Sequence, residues 1–306
     1  MEENNGSLLP AIQKLLESGD IQGLTSILES PVEDIVSRRQ AVVALGKIGG
    51  EQSIPPLIRA LDSRDRMIPY AALSALGRIG LPAFSHLLNF LKETDDERLV
   101  EWMANSALFK IGETAVKTLT EALQTAPEPR MRRNAAIVLG ILRKASAVQP
   151  LLEALQDEHA EVRARSACAL GEIGDPSAVE PLTEKLRDVN DEVRIFSARA
   201  LGEIGDERAS HALIEAMNYN RCPEVRQSAA DALGKIGGRA VVRSLTAQLK
   251  SGDEILRMSV AYSLGELGGF RSFPPLVKAV FTAGSLARPA VFRSILRMVR
   301  RMLGKK

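Results

Sequence analysis

A five-residue phrase, Leu-Gly-x-Ile-Gly, returns through this chain every 31 or 32 residues, and only repeat architectures are built on such a period. It reads LGKIG at 45–49, LGRIG at 76–80, LFKIG at 108–112, LGEIG at 170–174 and 201–205, LGKIG at 233–237 and LGELG at 264–268. A degenerate copy, LGILR, falls on schedule at 139–143, and ILRMV at 295–299 reads as a ninth. Each copy closes a unit too small to bury its own apolar face, so neighbouring units must stack and share a core. A length of 306 residues would by itself suggest two domains. The repeat overrides that prior. It gives a repeat solenoid over 20–285, a capping helix within 1–19, and a last repeat helix with a basic cap over 286–306.

Every unit reads as two helices. In the fifth, ASAVQPLLEALQD (145–157) places Leu151, Leu152 and Leu155 on one side of a short first helix. HAEVRARSACALGEIG then places Val162, Ser166, Ala169, Leu170 and Ile173 at helical spacing in a second. The closing Gly174 suits the left-handed position just past a helix end. The inner Gly171 disfavours helix by roughly 1 kcal/mol against alanine, so its recurrence predicts a neighbouring helix packed on bare backbone. The fold class that follows is all-α, a single right-handed α-solenoid of about nine two-helix repeats. LLPAIQKLLE (8–17) reads as the cap that precedes the first unit.

The segments AVEPLTEKL and DEVRIFSARALGEIG, with their copies, resemble the HEAT-like repeats of the bilin-lyase type, and the resemblance covers about residues 20 to 303. It implies that the second helices line a concave groove and that arginine–aspartate pairs form a ladder between units. An arginine stands seven positions before most marker leucines, with an aspartate six residues before it at Asp157/Arg163 and Asp188/Arg194. We read these arginines as structural. The ladder reads as incomplete where Arg226 follows Asn220 and Arg257 follows Ser251.

A helix advances ~100° per residue, so positions nine, six and two before the marker leucine, and two after it, lie opposite the core. In the middle units this stripe is acidic: Glu161, Glu172, Glu192, Glu203 and Glu224. The second unit presents Met67, Tyr70, Ser74 and Arg78 instead, and the third Leu99, Trp102, Ser106 and Lys110. Val36, Arg39, Val43 and Lys47 flank them from the first unit, and Arg130, Arg133 and Ile137 from the fourth. The ladder arginine gives way here to Pro69 and Glu101. Exposed aromatics beside arginines are what binding hot spots are made of; the plainer alternative is that Tyr70 and Trp102 pack on each other or on the N-terminal cap. A second cluster, Ile255, Met258 and Tyr262, either repeats this theme or buries itself against the C-terminal helix. That helix carries Arg288, Arg293, Arg297, Arg300, Arg301, Lys305 and Lys306, which we read as a polar cap.

Chemistry is harder to find. None of the three histidines, His86, His159 and His211, is followed by glutamate, so the His-Glu iron pairs of deoxyhypusine hydroxylase are missing. There is no Cys-x-x-Cys and no phosphate-binding glycine loop. The bilin-lyase resemblance implies a Tyr-Tyr-Ala-Ala-Trp-Trp-type stretch before the marker, but residues 69–78 keep one tyrosine and two alanines and no tryptophan. A formal charge of +2 gives little attraction for nucleic acid. The start lacks a signal-peptide pattern, no apolar run approaches the ~20 residues of a membrane span, and Cys168 and Cys222 suit a reducing compartment, so the cytoplasm is expected. The expected function is a non-enzymatic scaffold, without cofactor or metal, that binds a segment of another protein in its groove. Its site would be Tyr70, Trp102, Met67, Leu99, Arg39, Lys47, Arg78, Lys110 and Arg133, with Tyr262 beyond, and a sister HEAT-like subunit could complete it. The alternatives are a bilin lyase or chromophore chaperone holding a tetrapyrrole, and a groove for nucleic acid.

Overall fold

A computed structural model describes residues 8–65, 67–251, 253–267, 273–282 and 287–302 of the chain. Among these residues the structure is helical with no strand, and helices pair in sequence order as in an α-solenoid. They form two compact units, 1–142 and 143–306.

In the N-terminal unit, α1 (Pro10–Ser18) is the expected cap and packs on α3 (Ile35–Ile48). First helices are α2 (Ile21–Glu29), α4 (Ile54–Arg59), α6 (Phe84–Glu93) and α9 (Glu113–Thr125). The second helices are α3, α5 (Met67–Ile79), the pair α7 (Glu97–Met103) and α8 (Phe109–Ile111), and α10 (Pro129–Leu142). A π-helical turn, Ala104–Leu108, joins α7 to α8. In the C-terminal unit the first helices are α11 (Val148–Ala154), α13 (Val179–Lys185), α15 (Ser210–Tyr219), α17 (Arg239–Gln248) and α19 (Phe273–Thr282). The second helices are α12 (Ala160–Ile173), α14 (Asp191–Ile204), α16 (Pro223–Ile236), α18 (Glu254–Leu267) and α20 (Ala287–Met302), each packed on the next.

Local chemistry sets where these helices start and stop. Asp34 accepts the Val36 and Ser37 amides at 2.8 and 3.0 Å, and Asn190 does the same for Glu192 and Val193, satisfying donors that a helix start leaves orphaned. Gly174 ends α12 at φ 79°, a left-handed conformation that a Cβ disfavours. Between the ends, Val162, Ser166 and Ala169 are buried as the spacing predicts, while Ile173 is covered only in part.

The inner glycines explain how closely second helices pack. A Cβ built on Gly171 would lie 2.6 Å from the Cα of Ala200, and one on Gly202 would lie 2.7 Å from the Cα of Ala232. Backbone cannot yield as a flexible side chain can. Gly171→Ala is therefore expected to lower stability by about 1–3 kcal/mol through overpacking, although alanine is the better helix former by roughly 1 kcal/mol. Urea denaturation of the variant beside wild type checks this.

The arginine ladder is more complete than the sequence suggests. Arg163 donates to the main-chain carbonyl of Asp157 at 2.8 Å, Arg226 to that of Asn220 at 3.0 Å, and Arg257 to that of Ser251 at 2.7 Å. The residue six positions earlier offers its backbone oxygen, so its side chain need not be acidic. The carboxylate comes from the following repeat: Asp188 accepts from Arg163 Nε and Nη2 at 2.9 and 2.8 Å while its own carbonyl accepts from Arg194. Arg226 reaches the capping Asp253 in the same way. Arg194 pairs within its own helix, with Asp191, and its Nε–H is buried without an acceptor because Asn220 stands where Asp188 stands one repeat earlier.

Burial pushes the Asp188 carboxyl up, but the Arg163 hydrogen bonds, the Asn190 amide and the charges of Arg163 and Lys185 together hold it below its ordinary value. With its folded pKa depressed, Asp188 contributes stability above the unfolded value of about 4, and that contribution is lost as pH falls through the lower folded value. Asp188→Ala should cost about 3–5 kcal/mol, since both partners are nearly buried and Arg163 would be left without its carboxylate. In denaturation series between about pH 6 and pH 3, Asp188→Asn should lose less stability than wild type.

Candidate partner-binding face

The second helices of the N-terminal unit bring together most of the residues singled out in the sequence. Asp96 starts α7 by accepting the Arg98 amide at 3.0 Å. Hydrogen bonding to the Asp96 side chain, the Asp96 charge and the nearby Tyr70 all raise the pKa of Arg98. Eleven positions separate the capping Asp34 from Leu45 and Asp65 from Leu76, but twelve separate Asp96 from Leu108. The π turn absorbs the additional residue. Counted from its cap, Trp102 therefore stands in the row of Ala71, one step beyond the row of Tyr70.

From that position Trp102 meets Tyr70 edge to face, with ring centroids 5.2 Å apart and planes at 69°. Its indole N–H donates to the Tyr70 carbonyl at 3.2 Å and to Ser74 Oγ at 3.4 Å. The two rings do pack on each other, yet Trp102 keeps 40% of its surface exposed. Beside them Met67 and Val36 are about half exposed, and Leu99 is half-buried. Arg39, Lys47 and Arg78 are on the surface.

Arg133 is placed differently. Only 11% of its side chain is exposed, and it donates to Asp95 at 3.2 Å and to Asn134 Oδ1 at 3.1 Å. Arg130 holds the same Asp95 at 2.8 Å. These cations form a clamp on the α6–α7 connection. The Lys110 side chain lies outside the described residues, as do those of Arg301, Lys305 and Lys306. Phe109, which the sequence reading passed over, stands where neighbouring repeats have the inner glycine and is 65% exposed. The substitution LFKIG for LGKIG was the available clue.

In the C-terminal unit Tyr262 is half exposed, with the Arg297 guanidinium 4.6 Å above its ring. Arg297 also donates to Glu266 at 2.5 Å. The contact with the last helix is therefore made by an arginine laid over an open ring. The stripe expected to be acidic is mixed: Glu203 pairs with Lys235, Glu192 lies 3.7 Å from Arg165, and Arg199 is exposed among them. Arg199 and Lys235 were legible, standing two before and two after their marker leucines. Among the described residues no group of three His, Cys, Asp or Glu side chains could hold a metal, and no helix is long and apolar enough to cross a membrane.

Known proteins bear on this arrangement. The profile of HEAT repeats matches residues 21–108, 85–167, 148–221 and 212–294, so the chain belongs to the HEAT-repeat proteins. A HEAT repeat-containing taxis protein of Halobacterium salinarum is 28% identical over 160 residues, 51% of this chain and 36% of that protein's own length. An engineered protein of known structure aligns over 97% of this chain and 92% of its own, at 20% identity and a TM-score of 0.51. A chain of the Kap95p–RanGDP complex aligns over 94% of this chain and 46% of its own, at 15% identity and a TM-score of 0.56. Both structural likenesses are likenesses of fold.

Trp102 is the one tryptophan in the chain and reports on this face directly. Tyr70→Ala should shift its emission to the red, increase its quenching by iodide, and reduce stability by about 1 kcal/mol, the worth of an aromatic pair.

Proposed function

We propose that this HEAT-repeat chain is a non-enzymatic interaction protein that captures a segment of another protein on the second-helix face of its N-terminal unit. HEAT repeats mediate protein–protein interaction, which supports the class of function. The particular face rests on one observation: an edge-to-face Tyr70–Trp102 pair in which Trp102 stays 40% exposed, with Met67 and Val36 exposed on α5 and α3. Rigid aromatics of this kind carry much of the free energy at protein interfaces. Arg39 and Lys47 on α3 and Arg78 on α5 are exposed cations, so the segment we propose carries an apolar anchor flanked by acidic residues. Arg133, committed to Asp95 and Asn134, takes a structural part.

The test is affinity capture from the native host with wild type and the Tyr70→Ala/Trp102→Ala variant side by side, both first shown to keep their helicity. A partner retained by wild type and lost by the variant supports the reading, and the purified partner should then shift Trp102 emission to the blue. Equal capture by both proteins removes this face from consideration. Titration with a tetrapyrrole should leave the visible spectrum unchanged; a new absorption band would move the chain to the chromophore-binding class.

A further inference from the structure

A cleft of about 550 Å³ opens on α12 and α14, lined by Arg143, Cys168, Glu172, Phe196, Arg199 and Glu203 among others. Its acids are engaged. Glu203 is ion-paired with Lys235, and Glu172 faces the Cys168 thiol at 3.9 Å. Its arginines are differently placed. Among the described residues Arg143 has no hydrogen bond or ion pair from its guanidinium. Arg199 lies 5.7 Å from the centre of the Phe196 ring, with an electrostatic reach to Asp231 and no carboxylate in contact. Arg165, 4.7 Å from the same ring, is shared with Glu192.

Arg143 is the anomaly that gives this cleft meaning. It is the one non-glycine residue with positive φ among the described residues, at 50°. It stands at the closing position of its repeat, where Gly174 and Gly205 serve the next two at φ 79° and 75°. A side chain with a Cβ is disfavoured in that conformation, and Arg143 is exposed, so no buried contact offsets the strain. Strain held at a surface position beside a cleft points to a use for the side chain. A guanidinium matches a carboxylate with paired, charge-assisted hydrogen bonds, and two unpaired ones beside an aromatic face suit an acidic residue with an apolar neighbour.

We propose that this cleft binds an acidic peptide segment, with Arg143 and Arg199 holding a carboxylate and Phe196 receiving the adjoining apolar side chain. The proposal runs against the acidic look of this stripe in the sequence. It is independent of the Tyr70–Trp102 reading.

The test uses the full chain carrying Tyr70→Ala/Trp102→Ala, so that the N-terminal face is silent, and fluorescence anisotropy of a fluorescein-labelled peptide of glutamates around a central leucine. The acidic peptide should bind, with affinity falling as salt rises, and a lysine-rich peptide should not. Arg199→Ala and Arg143→Gly should each weaken binding about tenfold. Arg143→Gly should also raise Tm by roughly 1–3 °C, because glycine relaxes the left-handed backbone. A loss of binding together with a gain in stability excludes a merely structural role for Arg143. Absence of binding, preference for the lysine peptide, or unchanged affinity in both variants would overturn the proposal. Displacement by inorganic phosphate at concentrations comparable to the peptide's would also overturn it, since the site would then hold any small anion.

Discussion

Second helices in this protein meet backbone to backbone, and that approach governs what the rest of the sequence can contain. Gly46 rests on Ala75, Gly77 on Ser106 and Ala107, Gly171 on Ala200, Gly202 on Ala232, and Gly234 on Ser263. The residue received against each glycine is alanine or serine, because nothing larger fits. A helix pair held at that distance leaves little interior volume for rings, in keeping with a chain only 4% aromatic. It also fixes the period, since the glycine must present itself once per repeat at the same height and on the same side. Where glycine is replaced by Phe109, the helix accommodates an additional residue as a π turn and the ring goes out to solvent.

The arginine ladder works on the same axis with a different chemistry. An arginine bound to a main-chain carbonyl six residues back pins the turn between the helices of its own repeat. A carboxylate from the next repeat then ties the two together, as Asp188 does for Arg163. The second and third repeats have no such arginine, and another donor makes the connection there: the Trp102 indole reaches back to the Tyr70 carbonyl. One residue thus replaces a structural bond between repeats and leaves aromatic surface exposed. The alternatives of packing and presentation, posed by the sequence as rivals, are met by the same ring.

The fold was legible because its signal is redundant. Eight copies of one phrase at a near-constant spacing fix the helices, their ends and the inner glycines even when single copies degenerate. The proposed binding face is carried by exceptions, and exceptions have no redundancy. Counting back from Leu108 put Trp102 level with Tyr70; only the interval from the capping Asp96 reveals the additional residue. Arg133 read as a groove cation because its partner, Asp95, lies thirty-eight residues away in a loop that periodicity does not reach. The ladder looked broken at Asn220 and Ser251 because side chains are visible in a sequence and carbonyl oxygens are not.

Departures from a repeat consensus sort themselves by what they do to stability. The polar Asn134 is compensated locally, its side chain donating to the Leu91 and Thr94 carbonyls in a fully buried position. Arg143 departs and receives nothing of the kind: it gives up the glycine that its backbone favours and gains no contact that would offset the strain. Other repeats hold glycine at the same position, so the backbone cost of Arg143 is one that its own repeat does not offset. Repeat proteins make that comparison within one molecule, because every unit is a control for its neighbours. The same logic separates Phe109, an exposed apolar group where neighbouring repeats hold glycine, from the many leucines whose burial needs no further explanation.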